Sequence, residues 1–170
     1  MYTQTNLHSV TLPIMAESAL SPSPSRDELR AWRSFLAAHA RVMRSLEAEL
    51  LAEQRLSLVS YDVLVQLAEA PGRQLRMAEL ADRVLLSRSG VTRLVDRLER
   101  AGLVARQRVT GDGRGVIAEL TSAGLDRLRT AAGTHLAGVA RHFVARFKPD
   151  ELSYLGELCD RLAGSVPPLR

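Results

Sequence analysis

"SRSGVTRLVDRLERAGLV", Ser87–Val104, is the stretch on which the fold turns. Val91, Leu94, Val95 and Leu98 recur at helical spacing, with Ser87 ahead of them as an N-cap and Gly102 behind them as a stop. The opposite face carries Ser87, Arg88, Ser89, Thr92, Arg93 and Arg97, with Gly90 allowing a close backbone approach. Taken alone, this is an ordinary amphipathic helix whose charges, Asp96 and Arg100 for instance, pair along a solvated side. Its neighbours decide whether the polar face has a further purpose.

Upstream, "LVSYDVLVQLAEAPG" predicts a helix with Ser60 as N-cap and Pro71-Gly72 as its end, and "MAELADRVL" predicts a two-turn helix with Leu80 and Val84 on one face. Downstream the period shifts. "LVARQRV" and "GVIAEL" are short β-prone runs around the turn-prone "TGDGR", and predict a two-stranded hairpin. Three helices followed by a hairpin make a winged helix-turn-helix, assigned to residues 57–120.

Long helices flank it. Residues 26–56 carry Leu29, Trp32, Leu36, His39, Met43, Leu46 and Leu50 at alternating steps of three and four, a seam suited to pairing subunits. Residues 121–170 begin at the cap Thr121 and place Leu125, Leu128, Ala132, Leu136, Val139, Phe143 and Phe147 on a stripe; Pro149 then opens a last helix with Leu152, Leu155, Cys159 and Leu162. Residues 1–25, ending in "SPSPS", read as a flexible arm, within which Met15 is an alternative start. The expected fold class is mainly α with a small β-hairpin wing, a winged helix-turn-helix between dimerisation helices.

The net charge of +4 is unevenly placed. Residues 73–114 hold ten arginines against five carboxylates, whereas the rest of the chain holds 13 basic and 14 acidic residues. A patch so rich in arginine suits phosphate and base edges. Arg88, Arg93 or Arg97 can present a bidentate fork to guanine, while Ser87, Ser89 and Thr92 can bond phosphates or base edges. The helix N-terminus adds N–H donors. Arg106 and Arg108, alternate on the first wing strand, share a face that can meet phosphates; Arg114 can reach a minor groove, oriented by Asp112.

Other classes find less support. The chain has no HExxH pair, no phosphate-cradling glycine loop and no GxSxG elbow, so neither an enzyme, a cofactor nor a metal is expected. Its single cysteine, the lack of a basic n-region with an apolar h-region, and the absence of a membrane-length apolar run predict a cytoplasmic protein. The alternative from a different class is a winged-helix module for protein association, which predicts an acidic or apolar face on the recognition helix.

From Asp27 to Leu162 the sequence resembles the MarR family of bacterial transcriptional regulators, on "YDVLVQLAEAPG", "MAELADRVLLSRSGVTRLVDRLERAGLV" and "DGRGVIAELTSAG" in that order. The resemblance implies a recognition helix over Ser87–Arg100 and a wing Asp-x-Arg motif at Asp112 and Arg114. It implies a homodimer, joined through the first and last helices, that straddles a pseudo-palindromic DNA duplex. It further implies a repressor released by a small aromatic ligand or an oxidant. The oxidant-sensing members place a cysteine near the start of the first helix, where this chain has none; Cys159 is read as a buried structural thiol. Trp32, His39, Tyr61 and His135, with His142, are the aromatic and polar groups available to a small aromatic effector, although a Trp on an apolar seam is usually core and a His at a seam position is more often a hydrogen-bonded core or interface residue.

Overall fold

The computed structural model describes residues 23–108 and 115–164. Along the described chain run α1 (Arg26–Gln54), α2 (Leu58–Glu69), β1 (Gln74–Arg76), α3 (Met77–Arg83), α4 (Arg88–Arg100), β2 (Val104–Arg108), β3 (Val116–Leu120), α5 (Ser122–His142) and α6 (Pro149–Ala163), with 3-10 turns at Pro71–Arg73 and Val144–Arg146. The chain divides into two compact units between Leu36 and Ala37. In the first, α1 starts with a reciprocal cap: Glu28 N–H donates to Ser25 Oγ (3.3 Å) and Ser25 N–H to Glu28 Oε2 (2.6 Å), and Trp32 stacks on Phe35 with centroids 6.0 Å apart. Glu28 is held below its ordinary pKa by these hydrogen bonds.

The second unit holds the core, built from α2, α3, α4 and the sheet, with Leu50 of α1 and Ala131 of α5 joining it. Ser57, not Ser60, caps α2: its backbone is extended and its Oγ accepts the Ser60 N–H at 3.2 Å. Ser60 is buried one turn inside, its hydroxyl 2.7 Å from that of Ser57. Two serines three residues apart look alike in sequence, and burial of Leu56 just before the cap selects the first. Glu47 of α1 accepts a second free N–H of α2, from Leu58, at 2.5 Å.

The wing has three strands rather than two. The sheet order is β1-β3-β2, all antiparallel, with Leu75 opposite Ala118 and Arg106 also opposite Ala118. A three-residue strand with one inward side chain, Leu75, has too little alternation to be read from sequence. Ser87 caps α4 as expected, accepting the Gly90 N–H at 3.1 Å, and Thr121 caps α5 through Gly124 N–H at 2.9 Å. Gly124 is required by close approach: a Cβ there would lie 2.0 Å from the Leu103 carbonyl oxygen.

The outer helices differ most from expectation. The buried line of α5 is Gly124, Ala131 and Gly138, small residues seven apart that let neighbouring elements close in, while Leu136 is 64% exposed. The expected stripe also breaks at Phe143, where α5 gives way to the 3-10 turn. Cys159 is exposed, not buried; Leu152, Leu155 and Leu158 form the half-buried line of α6. Among the described residues no helix is long and apolar enough to cross a membrane.

Candidate nucleic-acid interface

Helix α4 is fixed by its inner face and open on its outer one. Val91, Leu94, Val95 and Leu98 are each at most 4% exposed, whereas Ser87, Arg88, Ser89, Thr92, Arg93 and Arg97 all face solvent. Three of these side chains are partly committed. Ser87 Oγ serves the cap and lies 3.3 Å from Ser89 Oγ, and Thr92 Oγ1 donates to the Arg88 carbonyl at 2.8 Å. Arg88, Arg93 and Arg97 form no ion pair among the described residues, which leaves three guanidinium forks available on one helix.

The expected Asp96–Arg100 pair takes another form. Arg100 Nε donates to the Asp96 carbonyl oxygen at 3.2 Å, and the Asp96 carboxylate goes instead to the Arg106 guanidinium of β2. Arg106 and Arg108, equivalent by alternation, therefore differ: the first is bound against α4 and the second is exposed at the strand's end. Between α4, the start of α3 and the wing lies a groove of about 660 Å³ lined by Arg76, Arg88, Thr92, Arg106 and Arg108. Sequence reasoning missed Arg76 as a contributor, and the only signal for it was its place in the basic stretch. Asp112 and Arg114 lie outside the described residues.

The expected effector residues are only partly assembled. Tyr61 and His135 meet with ring centroids 4.5 Å apart, Tyr61 buried and His135 half-buried with its Nδ1 shielded and unpartnered among the described residues. Burial lowers the His135 pKa against the opposing pull of Asp62; burial raises those of Asp62 and Tyr61. His142 is engaged elsewhere, its Nε2 2.7 Å from Glu49 Oε1, which also accepts from Arg141 at 2.5 Å. The hydrogen bond with His142, foremost, holds Glu49 below the usual carboxylate range. Trp32 and His39 are exposed. No group of three or more metal-binding side chains occurs among the described residues.

The sequence pattern of the MarR family matches residues 56–115, the stretch from the start of α2 into the wing. The HTH-type transcriptional repressor YetL of Bacillus subtilis (strain 168) is 31% identical over 115 residues, 66% of this chain and 69% of that protein. Two solved structures from Streptomyces coelicolor are similar throughout. AbsC, a MarR family transcriptional regulator, is 33% identical with a TM-score of 0.75, over 84% of this chain and 96% of AbsC. A second MarR family transcriptional regulator, solved in complex with DNA, is 34% identical with a TM-score of 0.78, over 87% of this chain and 92% of its own. With its helix-turn-helix, its wing, a relative 31% identical over 69% of its length and two solved structures matched over 92% and 96% of theirs, the chain belongs to the MarR family of transcriptional regulators.

Proposed function

We propose that the protein is a homodimeric, sequence-specific repressor that reads double-stranded DNA through α4 and its wing and has no catalytic activity. The observation that carries this reading is the outer face of α4: three unpaired arginines standing over four buried apolar residues. Arg88, Arg93 and Arg97 enter the major groove with Ser87, Ser89 and Thr92 at its edge. Arg108 takes phosphate, and Arg114, oriented by Asp112, takes the minor groove. The repressor assignment is supported by the likeness to YetL, and DNA as partner by the relative solved with DNA. An acidic or apolar α4 face, as a protein-association module needs, is not what this helix presents.

Residues 26–56 and 121–170 join two copies and set the distance between reading heads, so half-sites lie about one helical turn, roughly 10 bp, apart. Exposed Leu136, Phe143, Phe147, Tyr154 and Leu162 supply apolar surface for that contact. A small aromatic ligand, held near Tyr61 and His135 with Trp32 and His39 as further candidates, releases DNA by favouring a different head spacing.

Fluorescence anisotropy with duplex DNA from the protein's own upstream region, against scrambled duplex over a salt series, tests the reading. Selective binding that weakens steeply with salt is expected. Equal binding to both duplexes, or none at low salt, would overturn it.

A further inference from the structure

We propose, on the reading that α4 and the wing bind DNA, that Arg106 is a positioning residue: it latches β2 to α4 through Asp96, Glu99 and Thr92 and so sets the wing angle at which Arg108 lines the groove that Arg88 also lines. Alternation along the strand would make Arg106 a phosphate contact like Arg108. Its surroundings make it something else.

The guanidinium Nη2 donates to the Thr92 carbonyl oxygen at 3.0 Å and to Asp96 Oδ1. Nε stands 3.8 Å from Glu99 Oε2, shielded from solvent and without a hydrogen bond of its own among the described residues. The main chain is held as well, for Arg106 N–H donates to Glu99 Oε1 at 3.1 Å. Asp96 and Glu99, three apart on α4, thus converge on a single residue of β2 from its side chain and its backbone.

Sheet order explains why a latch is useful. β2 is an edge strand, bonded to β3 on one side only, and Glu99 occupies an N–H on its open edge. Cut from α4, the Arg106–Arg108 end of β2 would keep, among the described residues, its pairing with β3.

Charge supports the same conclusion. Two carboxylates beside a polyanion-binding surface oppose binding, and with both directed at it Arg106 has no surplus charge for phosphate. Their presence fits a mechanical role, in which strand position matters more than local potential.

The two roles give opposite signs for Asp96→Asn. As a neighbour of a phosphate-binding arginine, Asp96 restrains affinity, and its neutralisation tightens binding. As part of the latch, its neutralisation weakens operator binding about tenfold, as Arg106→Ala does, and the double variant is no weaker than either single one. Arg106→Lys, which keeps an ion pair but not the fork, recovers part of the loss.

Hydrogen exchange tests the latch without DNA: Asp96→Asn and Arg106→Ala speed exchange at the Arg106–Arg108 amides and leave those of Leu64 and Leu94 protected. Tighter binding by Asp96→Asn or unchanged β2 exchange overturns the proposal. A wild-type protein without operator selectivity overturns the parent reading instead, and β2 exchange then decides the latch by itself.

Discussion

Helices α4 and α5 are both amphipathic, yet one completes its apolar face within the chain and the other does not. The four apolar residues of α4 vanish into the core; on α5 the buried positions are glycine and alanine, and Leu136 is left in solvent. An amphipathic pattern therefore reports that a helix has a partner without saying whether the partner is in the same molecule. On α4 the inward face is satisfied, so the arginines opposite it are free to act on something else. On α5 and α6 part of the apolar side stays open, at Leu136, Tyr154 and Leu162, which supports assigning those helices to subunit pairing.

The sharpest way to break this contrast is to damage each apolar set in turn. Leu94→Ala opens a cavity in the closed core and should cost about 2–5 kcal/mol in urea unfolding at any protein concentration. Leu136→Asp should leave the far-ultraviolet circular dichroism unchanged while yielding monomers in sedimentation and removing the rise of Tm with protein concentration. A Leu136→Asp protein that remains dimeric would place the subunit interface elsewhere.

The outer face of α4 is tested by Arg93→Ala. If Arg93 reads a base, specific binding weakens by about 1–3 kcal/mol and discrimination relaxes at one position of the operator, with little effect on unfolding. Unaltered discrimination between operator and scrambled duplex would refute that role.

These positions also mark how far sequence could be read. The α4 stripe, the caps Ser87 and Thr121 and the hairpin strands β2 and β3 were legible because each is a local matter of periodicity or of a hydroxyl before a free N–H. The cap of α2 was misplaced because choosing between Ser57 and Ser60 depends on where Leu56 is buried, a tertiary fact. Strand β1 was missed because its pairing with β3 spans over forty residues. Arg106 and Arg108 looked equivalent because alternation fixes a face but not what lies across from it; only packing of β2 on α4 brings Asp96 and Glu99 to one of them. Cys159 was assigned to the core on a stripe that the structure shifts by one residue, to Leu158.

A smaller effect probes the contact between α2 and α5. Burial holds the His135 pKa below its ordinary 6.5, so the unfolded chain takes up a proton more readily than the folded one. Stability is accordingly lost as pH falls through about 6.5 toward the lowered folded value. Asp62, raised by burial, acts in the opposite sense: its folded form binds the proton more readily, and stability is lost as pH rises from 3.8 toward its raised value. His135→Gln should flatten the decline of the urea midpoint between pH 7.5 and 5.5. An unchanged decline would assign it to other groups.

The smallest expected effect comes from two helix ends built alike. At the end of α4, Leu103 N–H donates to Leu98 O and Gly102 N–H to Glu99 O, each at 2.9 Å, with Gly102 at φ +71°. At the end of α3, Leu86 N–H donates to Ala81 O at 3.0 Å and Leu85 N–H to Asp82 O at 3.4 Å, but the left-handed residue is Leu85, at φ +53°. A side chain there costs about 1–2 kcal/mol, of which glycine's greater freedom in the unfolded chain returns about 0.4–1. Leu85 is 92% exposed, so its removal sacrifices almost no packing within the chain. Leu85→Gly should therefore raise stability by about 0.5–1 kcal/mol in urea unfolding, with an unchanged m value. The same variant separates strain without purpose from strain held at a binding surface, because Leu85 lies three residues before the first residue of α4, Arg88. Greater stability with unchanged operator affinity means the residue is merely tolerated, whereas greater stability with weaker affinity means its exposed side chain belongs to the DNA contact.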